Sequence, residues 1–188
     1  LQIPLHIEQA CSARAQKPFV GVRRHEIKIL RGHGKGAQRL DGIDVKLDLA
    51  AELPLVNIDS EQMKRVVVNL VDNAAEALRD SLVKRLLVAT RATPEGSPDT
   101  VELLVADTGR GVSAEDKEKL FLPYFSTKGR GTGLGLAIVS HIISEHGGRI
   151  RVEDNRPAGA RFYVELPVMG ADSAAPETDV AMGSGAKA

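Results

Sequence analysis

The sequence predicts an α/β domain of two layers, a sheet with helices packed against it. Three observations point there. Ile43-Asp44-Val45-Lys46-Leu47-Asp48-Leu49 alternates apolar and polar residues at period two, and four more strand-like stretches follow. Residues 60–79 gather their apolar side chains on one helical face. Residues 133–146 make a second helical stretch that stops at Gly147-Gly148.

In chain order, residues 1–16 read as a short helix with Leu5, Ala10 and Cys11 among its apolar positions. Residues 17–42 are irregular and basic, and Gly32, Gly34 and Gly36 disfavour a helix there. After the strand at 43–49, Asp59-Ser60-Glu61-Gln62 opens a helix, with Asp59 as cap and Gln62 at the capping-box position. At about 100° per residue, Met63, Val66, Val67, Leu70, Ala74 and Leu78 fall on one broad face. Asn69, Asp72, Asn73 and Glu76 fall on the other. Strands near 85–92 and 100–106 flank the turn residues Pro94-Glu95-Gly96-Ser97-Pro98. Ser113 caps a short helix that runs to Leu120. Strands at 149–154 and 161–166, joined through Asn155-Arg156-Pro157-Ala158-Gly159, finish the domain. The expected division is a segment 1–42, a domain 43–168, and a tail 169–188 rich in Ala, Gly and Ser that is expected to be disordered. No internal repeat is visible.

Composition narrows the class. The chain has 188 residues, 43% hydrophobic but only 3% aromatic and without Trp, so its core is aliphatic. A formal net charge of zero gives no electrostatic reason to expect nucleic acid or an acidic membrane surface as partner. The single cysteine, Cys11, excludes an internal disulfide and fits a reducing compartment. There is no apolar run near the roughly 20 residues of a membrane span, and no signal peptide is expected in this stretch. A cytoplasmic location without membrane contact by this stretch is expected. Because the chain starts at Leu1 rather than Met, a fragment is also expected, with a sensor or membrane anchor upstream.

Three motifs carry chemistry. Asn69 and Asn73 stand four apart and share a helix face. An amide oxygen there suits Mg²⁺ whose other ligands are phosphates and water; two ordinary surface amides are the alternative. Asp107 ends an apolar strand and enters Thr108-Gly109-Arg110-Gly111. A buried carboxylate can accept a hydrogen bond from an exocyclic amine such as adenine N6, and glycines let the backbone pass a flat ring; a plain Asp-Thr-Gly turn is the alternative. Gly131-Thr132-Gly133-Leu134-Gly135 precedes and opens a helix, where bare N–H groups and the dipole favour phosphate. A dinucleotide fold is disfavoured, because the spacing is Gly-x-Gly-x-Gly and a polar loop precedes it.

Together these segments resemble the ATP-binding catalytic domain of two-component sensor histidine kinases. That family lies within the superfamily that also holds gyrase, an ATP-dependent heat-shock chaperone and the mismatch-repair ATPases. Asn69-Leu70-Val71-Asp72-Asn73-Ala74-Ala75-Glu76-Ala77 is similar to the N box, and Asp107-Thr108-Gly109-Arg110-Gly111 to the G1 box. Leu120-Phe121-Leu122-Pro123-Tyr124-Phe125-Ser126-Thr127-Lys128 is similar to the F box, and the run from Gly131 to Val139 to the G2 box. Gly159-Ala160-Arg161-Phe162 resembles the last Gly-rich turn and strand, so the likeness covers about residues 43–168. The wording is closest to the nitrogen-regulation branch.

The resemblance implies a mixed, mostly antiparallel sheet with helices on one face, the Bergerat-type ATP-binding fold, with ATP and Mg²⁺ as ligands. It implies that Asn73 binds Mg²⁺ and Asn69 supports the phosphates or metal. Asp107 would bind adenine, with Gly109 and Gly111 against the base. Gly131, Thr132, Gly133, Leu134 and Gly135 would wrap the triphosphate. Thr127 and Lys128 would sit near the phosphates, with a solvated loop lysine as the alternative for Lys128. Phe121 and Phe125 would anchor the lid rather than touch ligand. Superfamily ATPases carry a general-base Glu where Asn69 stands, so the resemblance implies transfer rather than hydrolysis.

The implied partners are a histidine-bearing dimerisation domain and a response regulator receiver domain. His25-Glu26-Ile27-Lys28 echoes the start of the acceptor motif and makes His25 the candidate phosphoacceptor. Ile29-Leu30 stands where the family has Asn-Pro, and the stretch before residue 43 is too short for the usual helical hairpin. Chance placement in a basic loop is the alternative. A nucleotide-binding module without catalysis, an ATPase and a serine kinase of the same fold remain rival functions. His141 and His146, on or at the end of the 133–146 helix, are not catalytic candidates.

Overall fold

A computed structural model describes residues 40–92, 100–126 and 132–169. The expected helix at 1–16, the basic segment up to residue 39, the turn at 94–98 and the tail from 170 lie outside the described residues. The elements in order are β1 (Asp44–Leu49), α1 (Ser60–Ala77), β2 (Arg85–Ala92), β3 (Thr100–Asp107), α2 (Ala114–Lys119), α3 (Gly135–Glu145), β4 (Arg149–Asp154) and β5 (Ala160–Pro167). The five strands form one sheet in the order β1-β2-β3-β5-β4. β1 and β2 are parallel, because α1 carries the chain back across the sheet between them. The other three pairings are antiparallel.

Strand alternation decides which face is covered. Val101, Leu103 and Val105 of β3, with Phe162, Val164 and Leu166 of β5, share one core with Val66, Leu70 and Ala74 of α1 and Val139, Ile142 and Ile143 of α3. Leu104 and Ala106 point the opposite way and meet Ala89, Leu87 and Tyr163. The long helices therefore lie on one face, giving the two layers. On the other face Arg151 stacks 3.7 Å from the Tyr163 ring centroid and pairs with Glu102, Glu153 and Glu165. Burial works against its charge, but the carboxylates outweigh that and hold its pKa above the ordinary arginine value. The core is aliphatic as expected: Leu70, Leu78, Val66, Val88 and Val164 are fully buried, each contributing about 1.5–3 kcal/mol relative to exposure.

Every apolar position assigned to the buried face of α1 is buried, and Asn69, Asp72, Asn73 and Glu76 are half-buried on the other face. The Asp59 side chain accepts from the N–H groups of Glu61 at 2.8 Å and Gln62 at 3.1 Å. The reciprocal half of the capping box does not form. The Asp59 N–H instead donates to His146 Nε2 at 2.9 Å, and Gln62 Oε1 is buried with no partner among the described residues. With Nε2 accepting, the ring proton lies on Nδ1 and is given to the Ile142 carbonyl, 2.7 Å away. His146 thus ties the start of α1 to the end of α3, beyond the dipole contact expected for it. Replacing it with Ala leaves both backbone groups short of a partner. A loss of about 1–2 kcal/mol is expected on thermal unfolding, against less than about 0.5 kcal/mol for the exposed His141→Ala.

Helix α3 is shorter than its sequence span. Gly133 has φ +66, outside right-handed helical space, so the helix starts at Gly135. It ends as expected: Gly147 at φ +67 donates to Ser144 at 3.0 Å, and Gly148 donates to Ile143 at 2.9 Å, a Schellman motif. Among the described residues no helix is long and apolar enough to cross a membrane.

Candidate functional site

The C-terminal end of β3 meets the polar face of α1 and the start of α3 around a cleft of about 580 Å³. Asn69, Asn73, Glu76 and Ala77 line it from α1, and Asp107, Arg110, Gly111 and Val112 from the end of β3. Thr132, Gly133, Gly135 and Leu136 come from the α3 side, and Ala160 and Phe162 from β5.

Asp107 is 2% exposed. A carboxylate that deep needs donors. Its Oδ1 accepts from the Gly109 N–H at 2.8 Å and the Ala160 N–H at 3.4 Å. Thr108 turns away and pins the loop to β2: its hydroxyl donates to Val83 O at 2.7 Å and accepts from Arg85 N at 3.0 Å. Gly159, at φ +109, must lack a side chain, because a Cβ there would lie 1.9 Å from the Asp107 carbonyl.

On α1, Asn69 Nδ2 donates to the Arg65 carbonyl at 2.8 Å. That turns Oδ1 toward α3, where a Cβ on Gly135 would approach it to 3.0 Å and Asn73 Nδ2 to 3.9 Å. Both asparagines therefore converge on the first turn of α3. Among the described residues no side chain caps that turn, so its N–H groups and the positive dipole end remain for an anion.

The cleft brings together Asn69, Asn73, Asp107, Gly111, Thr132, Gly133 and Gly135. Two positions differ from expectation. Gly109 does not line the cleft; its N–H supports Asp107, and a Cβ there would come within 2.7 Å of the Ala77 carbonyl. Leu134 is the N-cap of α3 and contributes its carbonyl to Ile138 N rather than a cleft wall. Phe121 packs on the core, as an anchor does, whereas Phe125 lines the cleft. Thr127, Lys128, Gly131 and His25 lie outside the described residues. Sequence reasoning missed Arg110, Val112 and Phe162 as lining residues and Asn155 as a support of Asp107.

The residues present fit an adenine nucleotide. A buried carboxylate, which could accept from an exocyclic amine, lies at the end of β3, and an uncapped helix N-terminus, which could hold an anion, lies at α3. For magnesium they offer the side-chain amides of Asn69 and Asn73; among the described residues no three His, Cys, Asp or Glu side chains are grouped for a metal.

A two-layer sandwich with a buried carboxylate, paired helix asparagines and an uncapped helix N-terminus around one cleft suits an ATP-binding domain. The family model of histidine kinase-, DNA gyrase B- and HSP90-like ATPases matches residues 58–170, and the chain belongs to that family. Within it, the similarity runs to sensor histidine kinases. The chain is 40% identical over 116 residues to sensor histidine kinase ZraS of Escherichia coli O157:H7, covering 62% of this chain and 24% of that kinase. The fold is similar to the catalytic domain of histidine kinase ThkA, with TM-score 0.65, 32% identity, and 81% of this chain and 96% of that one covered. It is also similar to full-length ShkA solved in complex with AMPPNP, with TM-score 0.63, 26% identity, and 81% and 32% covered. The chain spans about a quarter of the length of ZraS.

Proposed function

We propose that residues 43–168 form the ATP-binding catalytic domain of a sensor histidine kinase. It would hold Mg-ATP in the cleft and deliver the γ-phosphoryl group to a histidine of a dimerisation domain. An imidazole nitrogen attacks the γ-phosphorus, a P–N bond forms, the bond to the β-bridging oxygen breaks, and ADP leaves. In this reading Asp107 accepts from the adenine amine, and Gly111 runs beside the base. Gly133, Gly135 and the α3 N-terminus hold phosphate, with Gly131, Thr132, Thr127 and Lys128 completing that subsite. Asn73 gives its oxygen to Mg²⁺, which would neutralise phosphate charge, and Asn69 steadies the same end. The phosphoryl group would pass on to a response regulator receiver domain.

The observation that carries the choice of transfer over hydrolysis is Asn69. Its amide is bound to its own helix at 2.8 Å and has no basic site for a proton from water. Positioning and charge neutralisation are then the main catalytic means. Asn69→Glu is expected to release no phosphate above background, because a base alone does not place the water; steady phosphate release from the unmodified chain would support an ATPase instead.

The direct test is incubation with γ-labelled ATP, Mg²⁺ and the dimerisation domain of a matched kinase. Label on that domain that is lost in acid and kept in base supports the proposal. Acid-stable label indicates a hydroxyl acceptor. No label, with ATP still bound, indicates a nucleotide-binding module. Intact mass of the chain alone after Mg-ATP tests His25: a gain of one phosphoryl group, lost in acid and absent in His25→Gln, would assign it as acceptor.

A further inference from the structure

We infer that Asn155, in the β4–β5 turn, is a positioning residue that sets the adenine selectivity of the cleft. The inference rests on the reading of Asp107 as the base reader. Asn155 Nδ2 donates to the Asp107 carbonyl at 2.7 Å, across 48 residues of sequence. Its Oδ1 accepts from Arg161 Nε at 2.9 Å. The amide orientation is fixed by chemistry, since a guanidinium can only donate and a carbonyl can only accept. The Asn155 N–H closes the turn on Gly159 O at 3.0 Å. Gly159 lies directly on the Asp107 peptide, and the Ala160 N–H reaches the Asp107 carboxylate at 3.4 Å.

One hairpin turn therefore holds Asp107 at both its main chain and its side chain. Asp107 is the last residue of β3, beyond the final β3–β5 partner pair, Ala106 with Arg161. The sheet ladder does not extend to it on that side, so the turn takes over. A small displacement of the Asp107 peptide would shift the carboxylate relative to the base without touching the phosphate end of the cleft, which is built by α1 and α3. Asn155 acts through Asp107 and is not itself a ligand contact.

The test compares ATP with inosine triphosphate, which carries an oxygen where adenine has its amine. Affinities of the full chain are measured by calorimetry for the unmodified protein, Asp107→Asn, Asn155→Ala and Asn155→Asp. The Asp variant keeps the acceptor for Arg161 but sets a carboxylate oxygen, which cannot donate, against the Asp107 carbonyl, so it serves if Asn155→Ala loosens the turn. The expected result is a loss of about tenfold in ATP affinity for both Asn155 variants, with inosine triphosphate affinity unchanged. An equal loss for both nucleotides, or no loss for either, overturns the inference. If the unmodified chain binds the two equally, the base-reader reading itself fails. If Asp107→Asn collapses the selectivity and the Asn155 variants keep it, only the role of Asn155 fails.

Discussion

Asp107→Asn is expected to weaken ATP binding about a hundredfold while leaving the fold intact. The reason lies in how the carboxylate is held. Oδ1 is committed to two backbone donors, Gly109 N–H at 2.8 Å and Ala160 N–H at 3.4 Å. An asparagine keeps its carbonyl oxygen there, because the amide nitrogen cannot accept. In the proposed reading its NH₂ then takes the place of the second carboxylate oxygen and would face the adenine amine with a donor. The interaction is lost and replaced by repulsion. The residue is 2% exposed, so water cannot repair the mismatch. Binding by calorimetry and unfolding by circular dichroism separate the two effects. Unaltered affinity would remove Asp107 from the site.

Asn73→Ala carries the second large effect. Asn73 lies one helical turn beyond Asn69, and both converge on Gly135. If its amide oxygen binds the metal, removal is expected to cost about a hundredfold in affinity measured with Mg²⁺. It should cost little in EDTA, where the metal contributes nothing in either protein. The affinities with and without metal therefore converge in the variant. The half-buried position of Asn73 on the polar face of α1 makes a general loss of stability a minor contribution. Undiminished Mg-ATP affinity would contradict the metal assignment.

Local pattern gave the elements because each is signalled within a few residues. The alternation at 43–49 is β1, Ser113 caps α2 through the Asp116 N–H at 3.1 Å, and Gly147-Gly148 close α3. Helical spacing separated the buried and polar faces of α1, and so brought Asn69 and Asn73 to the cleft wall. The misses at Gln62, Gly109 and the 155–159 turn depend on residues far apart in sequence. Gln62 fits the capping-box pattern, yet the Asp59 N–H goes to His146, 87 residues away. Gly109 looks like a base-side glycine, but tertiary packing sets it against Ala77. Residues 155–159 read as a simple strand connection. Only the β3–β5 register, with Ala106 opposite Arg161, shows that this turn supports Asp107. No periodicity contains such information, because it arises when the sheet assembles.

The most direct measurement is a calorimetric titration of the full chain with Mg-AMPPNP, repeated with Asp107→Asn. Saturable binding of one nucleotide per chain, lost or much weakened in the variant, is the predicted result. Absence of saturable binding, or equal binding by both proteins, would contradict the assignment of this cleft as an ATP site.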